Sequence, residues 1–405
     1  MALLPELVEE VLIRFPPSEP HLLVRNILIC KQWREIISAP HFGLRYRQFH
    51  RTAPLLGLMV NFRDEDDESV SRLVPVSPAC PQHADFVNWC TLDARHGRHL
   101  ARFVPTEASS CSTRAGDHAG GWRADDTRHG RVLLSRRMAK HLVLMVWDPI
   151  TDHRQELPPI RPRPAYSWKA AVLCASTAAG AACDHHDCHR GGPFLVVYIG
   201  VSHGGAFSCI YSSDAAAWSE PVPVQLPRVN CINLVQSVLV RKALYFMFHK
   251  NNEVLEYDLE MCQVVSVIKL PPYTNFRRVV LTTTEDGGLG SATAIEHKLY
   301  LWSRKDGSKG DVAGWTQTRV INLEGLLRIT DLTLFAHVVG YADGVDVIFF
   351  RMGDAFFTID IKTCKVKEVY KGTRVYGIVP YMGFCTPALG GACAAEGPRA
   401  GAIGT

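Results

Sequence analysis

The chain lacks several things, and each absence excludes a class of protein. No stretch of its 405 residues approaches the roughly 18 uninterrupted apolar residues of a membrane-spanning helix, and the densest runs are as short as "DVIFF" and "FLVVYIGV". The opening "MALLPELVEEVL" carries glutamates where a secretory leader carries basic residues, and a proline interrupts its apolar run, so it does not read as a signal peptide. No glycine-rich phosphate loop and no Gly-x-Ser-x-Gly elbow occurs, and the isolated Asp, His and Ser residues assemble no triad. A net charge of +4 without a clustered basic face argues against a nucleic-acid partner. The 13 cysteines are scattered, and Cys174, Cys209 and Cys231 sit inside apolar strand-like runs. That suits small buried residues in a reducing compartment better than a disulfide framework, and the cytoplasm or nucleus is the expected location. No membrane partner and no cofactor is implied.

What is present divides in two. From Pro5 to about Phe49 the apolar pattern is helical. Leu7, Val8, Val11, Leu12 and Phe15 line one face until "FPPSEP" breaks it. A second tract, Leu22, Leu23, Ile27, Cys30, Trp33, Ile36 and Ile37, runs from beyond Pro20 to Pro40, with Ser18 and Glu19 as candidate caps. Two to three short helices in about 45 residues enclose too little apolar area to stand alone, so the unit must lean on something.

Beyond residue 55 the period is two and no long helix is evident. Short β-rich runs follow one another, among them "GRVLLSR", "LVLMVWD", "EVLEYDLE", "VDVIFFRM" and "AFFTIDIK". Asp148, Asp258 and Asp360 each end such a strand at a tight turn, 110 and 102 residues apart, twice a unit of roughly 50. Asp214 supplies one intermediate, and Leu-Pro pairs at Leu157, Leu226 and Leu270 close several units. The expectation is a small all-α unit, residues 3–48, followed by an all-β propeller-like domain, 54–385, with a double sandwich as the rival fold. "RDEDDESVSR" and "TEASSCSTRAGDHAGGWRADDT" read as loops, and residues 386–405 as a disordered Ala/Gly-rich tail.

The first of these units, "LPELVEEVLIRFPPSEPHLLVRNILICKQWREIISAPHF", resembles the F-box. Leu4 and Pro5 match its opening pair, Val11 and Leu12 its first-helix apolar pair, Cys30, Lys31, Trp33 and Arg34 its Cys-Lys-x-Trp-Arg segment, and Pro40 with Phe42 its close. The pattern departs at Leu7, one residue early, and at Asn26. With "VWDPITDHRQELPPI", "YSSDAAAWSE" and "YGIVPYMGFCTP", the whole resembles the plant, grass-type F-box proteins that carry a propeller-like associated domain. The resemblance implies binding to the linker protein Skp1, and through it a cullin, in an SCF-type ubiquitin ligase. The chain would then be a non-enzymatic adaptor that presents an unknown protein substrate. The residues expected to carry Skp1 are Leu4, Pro5, Leu7, Val8, Val11, Leu12, Leu22, Leu23, Cys30, Lys31, Trp33 and Ile37.

Other constellations have plainer readings. Cys183, His185, His186, Cys188 and His189 are the one dense cluster of zinc-ligand types, but they sit in a single loop without a second ligand pair, which argues against a structural metal site. "RYRQFHR", residues 45–51, reads as a solvated helix end joining the two units. "RHGR" at 95–98 and 128–131 reads as a hairpin turn with Gly at the positive-φ position. Two alternatives to the ligase adaptor are an F-box protein that binds partners outside a ligase and a propeller enzyme with a site in its central channel.

Overall fold

The computed structural model describes residues 4–63, 69–76, 121–138, 141–150, 153–160, 165–179, 188, 191–226, 231–249, 252–271, 279–305, 314–327 and 335–386. Four helices come first: α1 (Pro5–Leu12), α2 (Pro20–Ile27), α3 (Lys31–Ser38) and α4 (Pro40–His50). The second tract is not one helix. Cys30 is extended, with φ −159° and ψ 167°, so the chain turns between α2 and α3 although the apolar spacing runs straight through. Pro40 opens α4 rather than ending the helices, because the first position of a helix needs no amide hydrogen. Glu19 does occupy the N-cap of α2 but makes no side-chain cap bond. Residues 45–51 are a helix end as expected, and Arg45, Gln48, Phe49 and Arg51 are exposed, but the segment is solvated only in part. Tyr46 and Arg47 are buried, Arg45 pairs with Glu9 and Glu10 of α1, and His50 Nε2 lies 2.8 Å from the Ile13 carbonyl.

The remainder is a β-propeller, not a double sandwich. Its first blade is β3 (Arg123–Arg128), β4 (Arg131–Arg137), β5 (Leu142–Trp147) and β6 (Arg154–Glu156). The second is β7 (Ser167–Cys174), β8 (Phe194–Ser202), β9 (Gly205–Ser212) and β10 (Ala217–Trp218), with β11 (Val222–Val224) also on β9; α5 (Ala175–Ala179) lies between its first two strands. The third is β12 (Val238–Val240), β13 (Ala243–Met247), β14 (Glu253–Asp258) and β15 (Gln263–Lys269). The fourth is β16 (Val279–Thr283), β17 (Leu289–Ile295), β18 (Lys298–Lys305) and β19 (Gly314–Asn322), and α6 (Leu323–Leu327) leads on to the fifth. That last blade is β20 (His337–Ala342), β21 (Val347–Met352), β22 (Ala355–Asp360) and β23 (Val366–Lys371).

A three-stranded sheet closes the ring: β1 (Leu55–Arg63) lies between β2 (Ser69–Pro75) and β24 (Val375–Met382), so the first strand of the domain pairs with its last. Polar side chains bind this sheet to the first blade. The Asn61 amide imitates a strand edge: Nδ2 donates to the Ala124 carbonyl at 2.8 Å and Oδ1 accepts from the Ala124 amide at 2.9 Å. Ser71 joins the same knot, and Thr127 donates to the Pro380 carbonyl.

The repeated aspartates lie where a two-blade interval puts them, at the ends of the third strands of the first, third and fifth blades. Asp148 Oδ1 accepts from the Ile150 amide, Asp258 Oδ1 from those of Glu260 and Met261, and Asp360 Oδ1 from that of Thr363, each at 2.8 Å. Gly130, φ 75°, turns the hairpin between β3 and β4, as expected for the second "RHGR". The first lies outside the described residues. Two Leu-Pro corners gain a partner from the following blade: Trp218 Nε1 donates to the Pro158 carbonyl at 2.8 Å, and Trp315 Nε1 to that of Lys269, beside Leu270, at 2.7 Å.

Three expectations fail here. "WRADDT" is no loop: Arg123–Arg128 form the innermost strand of the first blade, with Asp125 and Asp126 buried. Ser69–Arg72, read as part of an acidic loop, belong to Ser69–Pro75, the outer strand of the closing sheet. Cys231 is exposed, whereas Cys174 and Cys209 are buried as expected. Of the tail, Thr386 alone is described, and it is buried.

Asn61→Ala removes both arms of the amide bridge and leaves the Ala124 carbonyl without that donor in the interior. Urea unfolding should show a loss of about 2 kcal/mol. A loss below about 0.5 kcal/mol would mean the ring closes without this knot.

Candidate partner-binding surfaces

The residues expected to meet Skp1 separate by burial. Leu4, Leu7 and Val11 are 63%, 56% and 55% exposed, and their spacing of three and four lays them along one side of α1. Pro5, Cys30 and Lys31 are also exposed, and Leu22 and Trp33 are half-buried. Val8, Leu12, Leu23 and Ile37 are interior: with Ile13, Ile27, Phe42 and Tyr46 they form the helices' own core. Trp33 packs against that core from its edge. Leu28 and Ile29 make an exposed apolar pair in the turn between α2 and α3. They escape notice in the sequence because the helical spacing masks the turn.

The unit leans where its size requires. Phe384, two residues past β24, enters the helical core, and its ring meets Tyr46 edge-on at 6.4 Å. Tyr46 in turn donates to the Phe15 carbonyl at 2.9 Å, and burial pushes its phenol well above the usual range.

The propeller's channel has two mouths. The inner strands β3, β16, β20 and β24 give their first residues to one cavity and their last to another. The linker Arg51–Ala53 lies at the second, so the helical unit marks that mouth. At the opposite mouth is a cavity of about 260 Å³ whose wall includes Asn61, Arg123, Leu234, His249 and Tyr376. Leu234 is 51% exposed, and Tyr376 also reaches solvent, with the Arg63 guanidinium over its ring at 5.7 Å. Apolar and aromatic groups beside arginine are what anchoring residues of protein interfaces look like.

A buried charged cluster holds Leu234 there. Lys169 Nζ donates to the Asp125 carbonyl at 2.7 Å and to the Leu234 carbonyl at 2.8 Å. Asp126 Oδ2 accepts from Arg128 Nη1 at 2.5 Å and from the Val172 amide at 3.0 Å. Arg128 also donates to the Ser237 carbonyl, and Gln236 Nε2 to that of Thr127 at 3.0 Å. Burial pushes the Lys169 ammonium down to about 8 despite Asp125, and raises Asp126 despite Arg128 and Lys169. These groups fasten residues 234–237 to the first two blades and face the protein's own carbonyls, so they serve structure. Nothing in the sequence marks them as a unit, since Asp125, Lys169 and Gln236 lie on three separate blades or their leads.

Among the described residues no group of three or more His, Cys, Asp or Glu side chains is arranged to hold a metal ion. Of the cluster at 183–189 only Cys188 is described, and its carbonyl accepts from Arg131. Among the described residues no helix is long and apolar enough to cross a membrane.

Five blades and a closing sheet behind a helical unit define an F-box-type propeller protein once the family match is added. The family model for the β-propeller of F-box protein AT5G49610-like chains matches residues 124–389, and the chain belongs to that family. No curated protein matches. Among solved structures, the nidogen/laminin complex is 11% identical, covering 81% of this chain and 99% of that one at a TM-score of 0.42. TolB from Acinetobacter baumannii is 9% identical, with coverages of 84% and 71% and a TM-score of 0.40. A protein titled as a putative 6-phosphogluconolactonase, from Bacteroides uniformis, is 10% identical, with 79% and 83% covered and a TM-score of 0.38.

Lys169 titrates near 10.5 when unfolded and about 8 when folded, so the unfolded chain binds more protons between those values. The stability contributed at this site is therefore lowest below pH 8 and rises from pH 8 to 10.5. The unfolding free energy of wild type minus that of Lys169→Met should increase between pH 7 and 10 by on the order of 2 kcal/mol. A difference that stays flat contradicts the burial of a charged lysine.

Proposed function

We propose that residues 3–48 are an F-box that docks on a Skp1-type linker and, through it, a cullin. The chain then serves as the substrate-recognition adaptor of an SCF-type ubiquitin ligase. The observation that supports this most is the exposed stripe Leu4, Leu7, Val11 on a unit that already has a closed core. Three aliphatic side chains left in water along one helix face match the helix-in-groove style of partner recognition. The family's F-box description and the Cys-Lys-x-Trp-Arg segment at Cys30–Arg34 point the same way.

The propeller supplies the substrate side in this reading. Leu234, Tyr376 and Arg63 lie at the mouth opposite the helical unit, which leaves them clear when the helices are engaged. The adaptor holds the substrate close to the conjugating machinery and raises its effective concentration there; the transfer chemistry belongs to other subunits. The location that goes with this reading is the cytoplasm or nucleus.

Leu7→Glu with Val11→Glu puts two charges on the exposed stripe without touching the core. Co-expressed with Skp1, this variant should lose co-purification at least tenfold while its melting temperature stays within a few degrees of wild type. Undiminished co-purification would sink the assignment. Leu12→Ala is no substitute, because Leu12 is fully buried and its truncation costs about 2–5 kcal/mol of fold stability whatever the partner.

A further inference from the structure

Phe384 reaches the helices from beyond the last strand, and its neighbours show how. Gly383–Thr386, the last of the described residues, run between the two units and send successive side chains to opposite sides. Phe384 is buried in the helical core, Cys385 in the cluster that holds Met59, Trp147 and Tyr381 of the closing sheet and first blade, and Thr386 beside Gly43 of α4. The segment stitches the units together. Its placement follows from ring closure, because the pairing of β24 with β1 sets Met382 opposite Leu55 and so brings Phe384 to the linker.

The helices depend on that delivery. α1, α2 and α3 have 8 residues each and α4 has 11. Helices shorter than about 12–15 residues are marginal alone, so these persist through their shared core. Of the nine buried side chains described in that core, Phe384 is the one the helical segment does not supply. The linker adds a second dependence. Arg51 stands at φ 60° and ψ −39°, and the Thr52 amide donates across it to the His50 carbonyl at 2.6 Å, close to a strained γ-turn. Such strain persists only where the surroundings fix it. Here the Gly383 amide, donating to the Pro54 carbonyl at 3.2 Å, ties the linker to the segment that follows β24.

We propose that Gly383–Thr386 act as a strap that makes the docking form of the helical unit conditional on closure of the propeller. Until β24 pairs with β1 the helices lack Phe384, their core stays open, and α1 is not held in shape for a partner. A chain with an unclosed propeller is thereby kept from engaging a linker protein. The docking half of this inference rests on the F-box reading, whereas the coupling of the two folds does not.

Two variants of the full chain test it by hydrogen–deuterium exchange and by Skp1 titration. In Phe384→Ala, amides of α1–α4 should exchange at least tenfold faster while β8 and β9 of the second blade keep wild-type rates, and Phe384→Leu should restore most of the protection. Asn61→Ala lies outside the helical core and weakens closure only, so it separates coupling from local packing. It should speed exchange in the helices and in β24 by the same factor. Skp1 should bind Phe384→Ala at least fivefold more weakly than wild type although Leu4, Leu7 and Val11 are intact. Helix exchange unchanged in both variants, or faster in Phe384→Ala alone, would overturn the proposal, and so would undiminished Skp1 affinity of Phe384→Ala. A wild-type chain that does not bind Skp1 would overturn the F-box reading and with it the docking half, while the exchange rates still decide the coupling.

Discussion

The molecule depends on the pairing of its first and last strands. β1 is held between β2 and β24, so a ring of blades that would otherwise end in two open edges closes on itself. The same pairing decides where everything else sits. β1 follows the linker from α4, and Phe384 follows β24 by two residues, so closure brings the helices and the aromatic that completes their core to one mouth of the channel. Non-local pairing of this kind is costly in loop entropy and forms late. The Asn61, Ser71 and Thr127 bonds to the first blade and to β24 are what make it definite once formed.

Much of this was legible beforehand, and the parts that were not share a cause. The runs read as strands fall largely on the middle strands of the blades, which are buried on both faces and so are continuously apolar; β8 and β21 are examples. The spacing of Asp148, Asp258 and Asp360 carried the blade interval because the turn chemistry repeats even where the sequence does not. The innermost strand β3 was hidden. Its "RADDTR" is polar, and partners from elsewhere, Lys169, the Val172 amide and Gln236, help make it tolerable in the interior. No pattern within a single segment can report a partner that far away.

The helical unit shows the same limit on a smaller scale. Spacing of three and four runs from Leu22 to Ile37 without interruption, yet the chain turns at Cys30, and the turn exposes Leu28 and Ile29. Periodicity identified the apolar residues of α1 but could not say which face the other helices would claim. Val8 and Leu12 went inside; Leu7 and Val11, one residue away from each, stayed out. Their division into core and surface gives the unit a closed core that includes Phe384 and, on α1, an exposed apolar stripe.

The central claim is that α1 meets a linker protein while the propeller faces elsewhere. Hydrogen–deuterium exchange of the full chain with and without Skp1 tests it most directly. Protection gained over residues 4–12 and 28–34, with the strands at the Leu234 and Tyr376 mouth unchanged, is the expected result. Protection confined to the propeller, or none in α1, would contradict it.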